Sequence, residues 1–185
     1  SNQFVIFQNI DDAEFLVNWV DIPSSKVCLI RSSGVDLNVY QNSAEPTGNI
    51  TVAFVARLLV DKGIREFINA SKILHSEGKE VVFLVAGDLD EGNPASIDKE
   101  EVASWKRLPN VTVIGFSKDI AGLYSQSHIA CLPSYREGLP KSLIEAAACG
   151  RVVVTTNVPG CRDAIDPDKT GILVPIKNAK AIADA

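Results

Sequence analysis

The sequence has few of the side chains from which metal sites are built. Its 185 residues include two histidines, four cysteines and no methionine. None of the cysteines stands in the Cys-x-x-Cys spacing that is typical of zinc sites. We therefore expect no zinc site. Cysteines scattered through apolar segments are typical of buried thiols in a reducing compartment, which predicts a cytoplasmic protein.

Long apolar runs and an excess of positive charge are also missing. No run approaches the roughly 20 apolar residues that a membrane-spanning helix requires. The formal net charge is −5, so we expect no nonspecific nucleic-acid binding, which depends on a basic surface. The N-terminus lacks the basic start and apolar core of a signal peptide. The missing methionine and an uncapped helical pattern at the end predict a piece of a longer protein.

From residue 50 onward, short apolar runs alternate with helical patterns. The runs are apolar on both faces, as in strands buried within a parallel sheet. They cover residues 50–56, 80–87, 110–116, 128–134, 151–157 and 171–175. The helical segments are 63–78, 95–108 with Ser96 as its cap, 119–127 with an aspartate cap, and 140–150. This alternation predicts an α/β fold, a doubly wound parallel sheet of about six strands with helices on both faces.

Residues 1–49 follow a different pattern. They contain one strand-like run and then a polar, proline-containing stretch, QNSAEPTGN. We interpret 1–49 as a lead-in and linker from a preceding domain, and 50–185 as the α/β domain.

Ligands of doubly wound sheets bind outside the carboxyl ends of the strands, so the loops there are the candidates. Arg57 and Lys62 stand at the two ends of the first such loop, where two cations suit an anion such as phosphate. A solvated turn explains them equally well. Gly87 ends the next strand, where the absence of a side chain lets a ligand or backbone approach closely. Phe116 follows another strand and either stacks on a base or packs in the core.

The segment SYREGLPKSLIEAAACG carries two carboxylates, Glu137 in a turn and Glu145 inside a helix of apolar and small residues. The helix N-terminus faces the strand-edge cleft and is a ready anion site. Side chains of a helix lean toward its N-terminus, so both carboxylates are placed to line one cleft. Sugar or ribose hydroxyls would then be the partners of Glu145. The alternative is an exposed glutamate on the polar side of an amphipathic helix.

Together these segments resemble the C-terminal, donor-binding domain of retaining glycosyltransferases of the GT-B fold, family 4 (glycosyl transferases group 1). The matching pieces follow the family's order over most of the chain. They are GVDLNVY, FVARLLVDKG, FLVAGD, NVTVIGF, CLPSYREGLPKSLIEAAACG and VPGCRDAI with TGILVP. The resemblance implies a Rossmann-like domain that is the C-terminal half of a GT-B fold. The lead-in would then come from an acceptor domain, and the donor domain would end before its final crossover helix.

The resemblance also implies roles for the matching positions. Arg57 and Lys62 would hold the donor diphosphate and offset charge on the leaving nucleotide, so that with Glu137 they form the catalytic set. Glu137 would contact hydroxyls of the transferred sugar, Glu145 would accept from the ribose, and Phe116 would lie near the base. The remaining implied donor-binding residues are Gly87, Gly138, Leu139, Pro140, Lys141 and Ser142.

The implied reaction is transfer of a hexosyl-type sugar from a nucleotide diphosphate sugar, of UDP or GDP type, to an acceptor hydroxyl with retained configuration. No cofactor and no obligatory metal are implied, because cationic side chains and the helix dipole would take the place of magnesium. The segment after Gly87 and Asp88 resembles the subgroup that builds bacterial polysaccharides and lipid-linked glycans. The full-length protein would lie in the cytoplasm or at the inner membrane face.

Two features limit what the resemblance implies. Where many members carry Gly-x-Gly-Pro, this sequence has GDLDEG, which leaves the base and the sugar open. The resemblance implies that an acceptor domain, which would meet a glycan or lipid-linked sugar, precedes this sequence in the full-length protein. Because both halves of this fold close over the donor, we expect the chain alone to fold but not to turn over.

Two other functions stay open. A sugar-nucleotide 2-epimerase of similar shape would need further acid and base groups, against which the scarcity of histidine argues. A noncatalytic α/β nucleotide-binding module would tolerate loss of Glu137, whereas a transferase would lose turnover.

Overall fold

The computed structural model describes residues 3–185 and contains every strand that the apolar runs predict. The strands are β1 (Val5–Phe7), β2 (Val27–Leu29), β3 (Ile50–Val55), β4 (Val81–Ala86), β5 (Val111–Gly115), β6 (Ile129–Leu132), β7 (Val152–Thr156) and β8 (Gly171–Val174). The helices are α1 (Ile10–Val20), α2 (Ile64–Ser76), α3 (Lys99–Trp105), α4 (Ile120–Ser125), α5 (Lys141–Ala148) and α6 (Ala179–Asp184).

The main sheet has six parallel strands in the order β5-β4-β3-β6-β7-β8. The chain runs outward from β3 to β5, returns to β6 beside β3, and then runs outward in the opposite direction. Because parallel crossovers are right-handed, the two runs put their helices on opposite faces of the sheet. The predicted doubly wound α/β fold is confirmed. The order of strands reverses between β3 and β6, and that is where such sheets form a ligand crevice.

The core lies between the sheet and these helices. Phe54 of β3, Phe67 of α2 and Phe83 of β4 are almost fully buried, with ring centroids 5.4 and 4.8 Å apart along the series. Aromatic pairs in such tilted and edge-on arrangements stabilise a core beyond the area they bury. The sequence produces this packing because α2 presents its apolar stripe to two strands that are apolar on both faces.

The predicted start of the helical segment 95–108 is wrong. Helix α3 begins at Lys99 with Asp98 at the cap position, whereas Ser96 lies in the preceding loop, where its hydroxyl accepts from the Asp90 amide at 3.1 Å. The backbone of this loop instead pairs with the loop after β3, for example from the Ile97 amide to the Leu58 carbonyl at 2.9 Å. This long-range pairing overrides the local helical pattern. The aspartate cap of α4 is confirmed.

The N-terminal segment is more regular than its sequence predicts. Strands β1 and β2 pair in parallel and α1 connects them, where the sequence shows one strand-like run. Apolar side chains of this unit remain exposed, among them Ile6, Phe15 and Trp19. A two-stranded sheet is at best marginally stable by itself; here α1 packs against both strands, and the exposed apolar side chains are left uncovered. The boundary at residues 49 and 50 stays a prediction.

Within residues 3–185, none of the helices combines the length and the apolar character that a bilayer crossing requires.

Gly63, which precedes α2, lies where the loop after β3 packs closely against the loop after β6. Its φ is +72°, and a β-carbon there would lie 2.1 Å from the Pro133 carbonyl oxygen. Gly78 has a similar φ of +73° but open space around it. Gly78→Ala is expected to lower the free energy of unfolding by about 1–2 kcal/mol, the penalty of a left-handed alanine. Gly63→Ala is expected to lower the free energy of unfolding by more than Gly78→Ala does, because the new β-carbon would also clash with the Pro133 carbonyl. Urea denaturation measures both losses. Equal losses would contradict the close contact.

Candidate functional site

Two loops meet at the crevice between β3 and β6. They cover residues 56–63 and 133–140, which follow these two strands. The Tyr135 amide donates to the Asp61 carbonyl at 2.8 Å, and the Tyr135 hydroxyl donates to a Glu66 carboxylate oxygen at 2.8 Å. The two loops therefore form one unit, although the partners are at least 69 residues apart in sequence.

An ion pair lies at the centre of this unit. Lys62 Nζ is 2.6 Å from Glu137 Oε1, and the two side chains are only 19% and 12% exposed. The same oxygen accepts a hydrogen bond from Ser134 Oγ at 2.7 Å. A pair this sheltered from water is stable only when further hydrogen bonds satisfy it, and Ser134 supplies one. Ser134 was not among the predicted site residues; its only signal in the sequence is a hydroxyl three residues before Glu137 at a strand end.

The ion pair lies in the wall of a cleft of about 260 Å³. The cleft is lined by Val55, Ala56, Arg57, Lys62, Leu132, Glu137, Pro140, Lys141 and Ser142. Its charged side chains are three cations and one carboxylate, so the cleft is suited to an anion. Arg57 is 62% exposed and pairs with Asp90 at 2.5 Å. The structure thus brings together the three residues predicted to form the catalytic set.

Helix α5 begins at this cleft. Pro140 stands at the cap position, and Lys141 and Ser142 form the first turn. The Tyr124 hydroxyl donates to the Ser142 carbonyl at 2.8 Å and so fixes α5 against α4. The positive end of the α5 dipole adds to the cationic side chains and favours a negatively charged ligand.

A second cleft of about 380 Å³ adjoins the first and shares Val55, Ala56 and Arg57 with it. Gly87 and Phe116 both line it. Phe116 is 66% exposed, which removes core packing as the explanation for an aromatic side chain there. At Gly87 a β-carbon would lie 1.8 Å from the Ala56 carbonyl oxygen, so the close approach at this glycine is one of backbone to backbone. Their roles toward a ligand stay predictions.

Glu145 is buried, with 7% of its surface exposed, so the alternative of an exposed glutamate is wrong. Its Oε1 is 3.6 Å from Lys141 Nζ, one turn earlier in α5. Burial, followed by the nearby Glu145 carboxylate, raises the pKa of Tyr40 to about 12. Tyr40 is thus a neighbour that the sequence analysis missed. Glu145 stands behind Lys141 and lines neither cleft, so the expectation that both carboxylates line one cleft is wrong. Gly138 and Leu139 form the turn between Glu137 and Pro140.

Comparison with known proteins assigns the family. The model of glycosyl transferases group 1 matches residues 38–185, which include both loops and both clefts. The chain belongs to this family. The resemblance stated from the motifs is therefore confirmed.

Two relatives of this group 1 chain are bacterial glycosyltransferases. It is 33% identical over its whole length to the N,N'-diacetylbacillosaminyl-diphospho-undecaprenol alpha-1,3-N-acetylgalactosaminyltransferase of Campylobacter jejuni, covering 50% of that protein. It is 37% identical over 74% of its length to the capsular polysaccharide biosynthesis glycosyltransferase CapM of Staphylococcus aureus, covering 35% of it. The chain therefore spans half or less of the relatives' length.

Solved structures show the same fold. The whole chain superimposes on 48% of a sucrose-phosphate synthase from Thermosynechococcus elongatus, with a TM-score of 0.85 and 25% sequence identity. For Anabaena HepE in complex with UDP-glucose, the match covers 98% of this chain and 52% of HepE, with a TM-score of 0.82 and 21% sequence identity. The second likeness establishes the fold alone.

Among residues 3–185, no three histidine, cysteine, aspartate or glutamate side chains come together as a metal site would require. The expectation of no obligatory metal and no cofactor stays a prediction, because a nucleotide is able to bring its own metal ion.

The three tyrosines, Tyr40, Tyr124 and Tyr135, provide a test of packing around the site. Burial is the main cause that raises the pKa of each, to about 12 for Tyr40 and Tyr135, and the Glu66 carboxylate contributes at Tyr135. In the folded protein none is expected to ionise at pH 10.5, as followed by phenolate absorbance, whereas the chain in guanidinium should titrate near pH 10.

The raised tyrosine pKa values make the free energy of unfolding depend on pH in the alkaline range. A raised folded-state pKa contributes stability that is present below about pH 10 and is lost as the pH rises toward 12. Substitution of Tyr135 by phenylalanine should reduce that loss. A folded chain in which a tyrosine ionises near pH 10 would contradict the packing described around Tyr40 and Tyr135.

Proposed function

We propose that this chain is the donor-binding half of a glycosyltransferase that moves a hexosyl-type sugar from a nucleotide diphosphate sugar to an acceptor hydroxyl, with retained configuration. The observation that carries the proposal is the cationic cleft at the β3–β6 crevice, which contains the Lys62–Glu137 pair. The relatives, which are named for glycan synthesis, support the acceptor class of a bacterial polysaccharide or lipid-linked glycan.

The charges of the cleft fit the leaving group of such a reaction. A nucleoside diphosphate that departs from a sugar gains negative charge on its phosphate oxygens. Arg57, Lys62 and the start of α5 surround the space where those oxygens would lie. Preformed positive groups stabilise the charge that develops in the transition state without reorganising when it forms. The reaction then needs no obligatory metal ion.

The Lys62–Glu137 pair explains how this cleft accepts both a phosphate and a sugar. When a diphosphate enters, Lys62 is close enough to contact it while remaining beside Glu137. Glu137 keeps its hydrogen bond from Ser134 and has a second carboxylate oxygen with which to accept from sugar hydroxyls. The adjoining cleft with Phe116 and Gly87 takes the base, of UDP or GDP type. Glu145 orients Lys141 from behind, and its contact with the ribose requires the Lys141 side chain, which is 57% exposed, to turn aside.

The acceptor is proposed to bind through a further domain that packs on the β1–α1–β2 unit. The exposed apolar side chains of that unit and its incomplete sheet support such a covering layer. Closure of the two halves over the donor would complete the catalytic site. The complete protein is proposed to work in the cytoplasm or at the inner membrane face, and the chain alone to bind without turnover.

Thermal melting with nucleotides tests the donor site. At a hundredfold excess over the dissociation constant, a ligand adds about 2.7 kcal/mol of stability, roughly 5–10 °C in Tm for a chain of this size. We expect such a shift with UDP or GDP in the presence of EDTA, and a smaller one with ADP. Lys62→Ala should reduce the shift to a few degrees or less, because it removes a phosphate contact. Lys72→Ala, on the exposed side of α2, is the matched control.

No shift with any of these nucleotides would contradict the donor site. An equal shift in Lys62→Ala and Lys72→Ala would place the nucleotide elsewhere.

Turnover by the complete protein separates a transferase from a binding module. Glu137→Gln keeps the size of the side chain but removes the charge that pairs with Lys62, and should lower kcat by a factor of about 100 or more, in the range of lost transition-state contacts. Glu101→Gln, which loses the exposed pair with Arg65, is the control. Unchanged turnover in Glu137→Gln would favour a noncatalytic role for this domain. Formation of the 2-epimer of the sugar nucleotide in place of a glycosylated acceptor would favour the 2-epimerase.

A further inference from the structure

Asn9 is a fully buried polar residue of the β1–α1–β2 unit, and the proposed function gives its side chain no role. It lies between β1 and α1 with none of its surface exposed. Its Oδ1 accepts from the Asp12 amide at 2.8 Å and so caps α1. Its Nδ2 donates to an Asp12 carboxylate oxygen at 2.9 Å. Capping explains the oxygen, but it does not explain why the amide nitrogen is buried.

The amide nitrogen of Asn9 reaches across to the loop that carries Glu137. It donates to the Gly138 carbonyl at 2.8 Å and approaches the Glu137 carbonyl at 3.4 Å. Gly160 closes in on the same two oxygens, since a β-carbon there would lie 2.5 Å from each. Two successive carbonyls of the loop are thus held in place by a hydrogen-bond donor and by close packing.

Fixing these carbonyls also fixes the amides bonded to them. In a trans peptide the N–H of the next residue points away from the carbonyl oxygen. The N–H groups of Gly138 and Leu139 are therefore turned away from Asn9. Among residues 3–185, neither of them donates to another group of the chain. Glu137 and Pro140, the residues that flank them, line the cationic cleft.

We propose that Asn9 is a positioning residue, which aims the amides of Gly138 and Leu139 into the cleft so that they donate to the diphosphate or the sugar of the donor. The inference rests on the proposed donor site. It also makes the lead-in part of that site. Asp12, which shares its carboxylate between Asn9 and Arg136, links the segment to the same loop a second time, with 2.6 Å to Arg136 Nη2.

The proposed role of Asn9 is tested by a substitution that keeps the cap of α1 but removes the hydrogen bond to the loop carbonyls. Asn9→Ser retains a capping hydroxyl, which serves about as well as asparagine, but is too short to reach the loop carbonyls. Asn178→Ser is the matched control, because Asn178 caps α6 by accepting from the Ala181 amide at 3.0 Å. Within residues 3–185, its Nδ2 makes no hydrogen bond to the loop that carries Glu137. Calorimetry with UDP and GDP, and with uridine and guanosine, is made on the 185-residue chain.

Asn9→Ser is expected to weaken binding of the preferred nucleoside diphosphate about tenfold and binding of the matching nucleoside less than twofold. Asn178→Ser is expected to change neither affinity. A merely structural role would weaken both ligands alike. Equal diphosphate affinity in the two variants would overturn the inference, while diphosphate binding by the unchanged chain would still support the donor site.

An amide measurement on the unchanged chain guards against a variant that fails to fold. The nitrogen–proton resonances of Gly138 and Leu139 are expected to shift on addition of the diphosphate and to stay in place with the nucleoside. Movement of the Lys62 resonance without that of Gly138 and Leu139 would overturn the inference alone. Failure of the unchanged chain to bind any of the nucleotides would overturn both the inference and the proposed donor site.

Discussion

The ion pair between Lys62 and Glu137 is the interaction on which the proposed site depends. It joins the loop after β3 to the loop after β6 through a 2.6 Å contact between Lys62 Nζ and Glu137 Oε1, where both side chains are largely shielded from water. Removing Lys62 would leave the sheltered Glu137 carboxylate with only the Ser134 hydroxyl as a partner, which is destabilising. The hydrogen bond from Ser134 fixes which carboxylate oxygen faces the lysine. The pair is thus both a brace between loops and a source of one cation and one acceptor for a ligand.

The architecture explains why the pair forms at this place. Strand order reverses between β3 and β6, so the two loops are neighbours in space while their helices diverge to opposite faces of the sheet. Gly63 lets the first loop approach the Pro133 carbonyl, and Gly160 backs the second loop from behind. The remaining support comes from Asn9. A site for an anionic ligand is therefore held by four chain segments, of which two supply the charges and two supply the positioning.

Much of this could be predicted from the sequence. The strands were recognisable because parallel strands are apolar on both faces, and Arg57, Lys62 and Glu137 because cations and carboxylates follow such strands. The pairing of Lys62 with Glu137 was not predictable, since the order of strands sets it rather than any local pattern. Helix α1 and Asn9 were missed because apolar residues of that unit are exposed and give no core-facing stripe. The start of α3 was misplaced because the loop before it pairs with the loop after β3.

The crystal structure of the chain with the nucleoside diphosphate that stabilises it most is the measurement that tests this account most directly. The account requires the diphosphate at the β3–β6 crevice, with its oxygens within about 3 Å of Lys62 Nζ and the Arg57 guanidinium, as charge-assisted hydrogen bonds demand. Arg57 would then have left Asp90, and Glu137 would still accept from Ser134. A nucleotide bound with its phosphates away from this crevice, while Lys62 and Glu137 remain paired and without contact to it, would contradict the account.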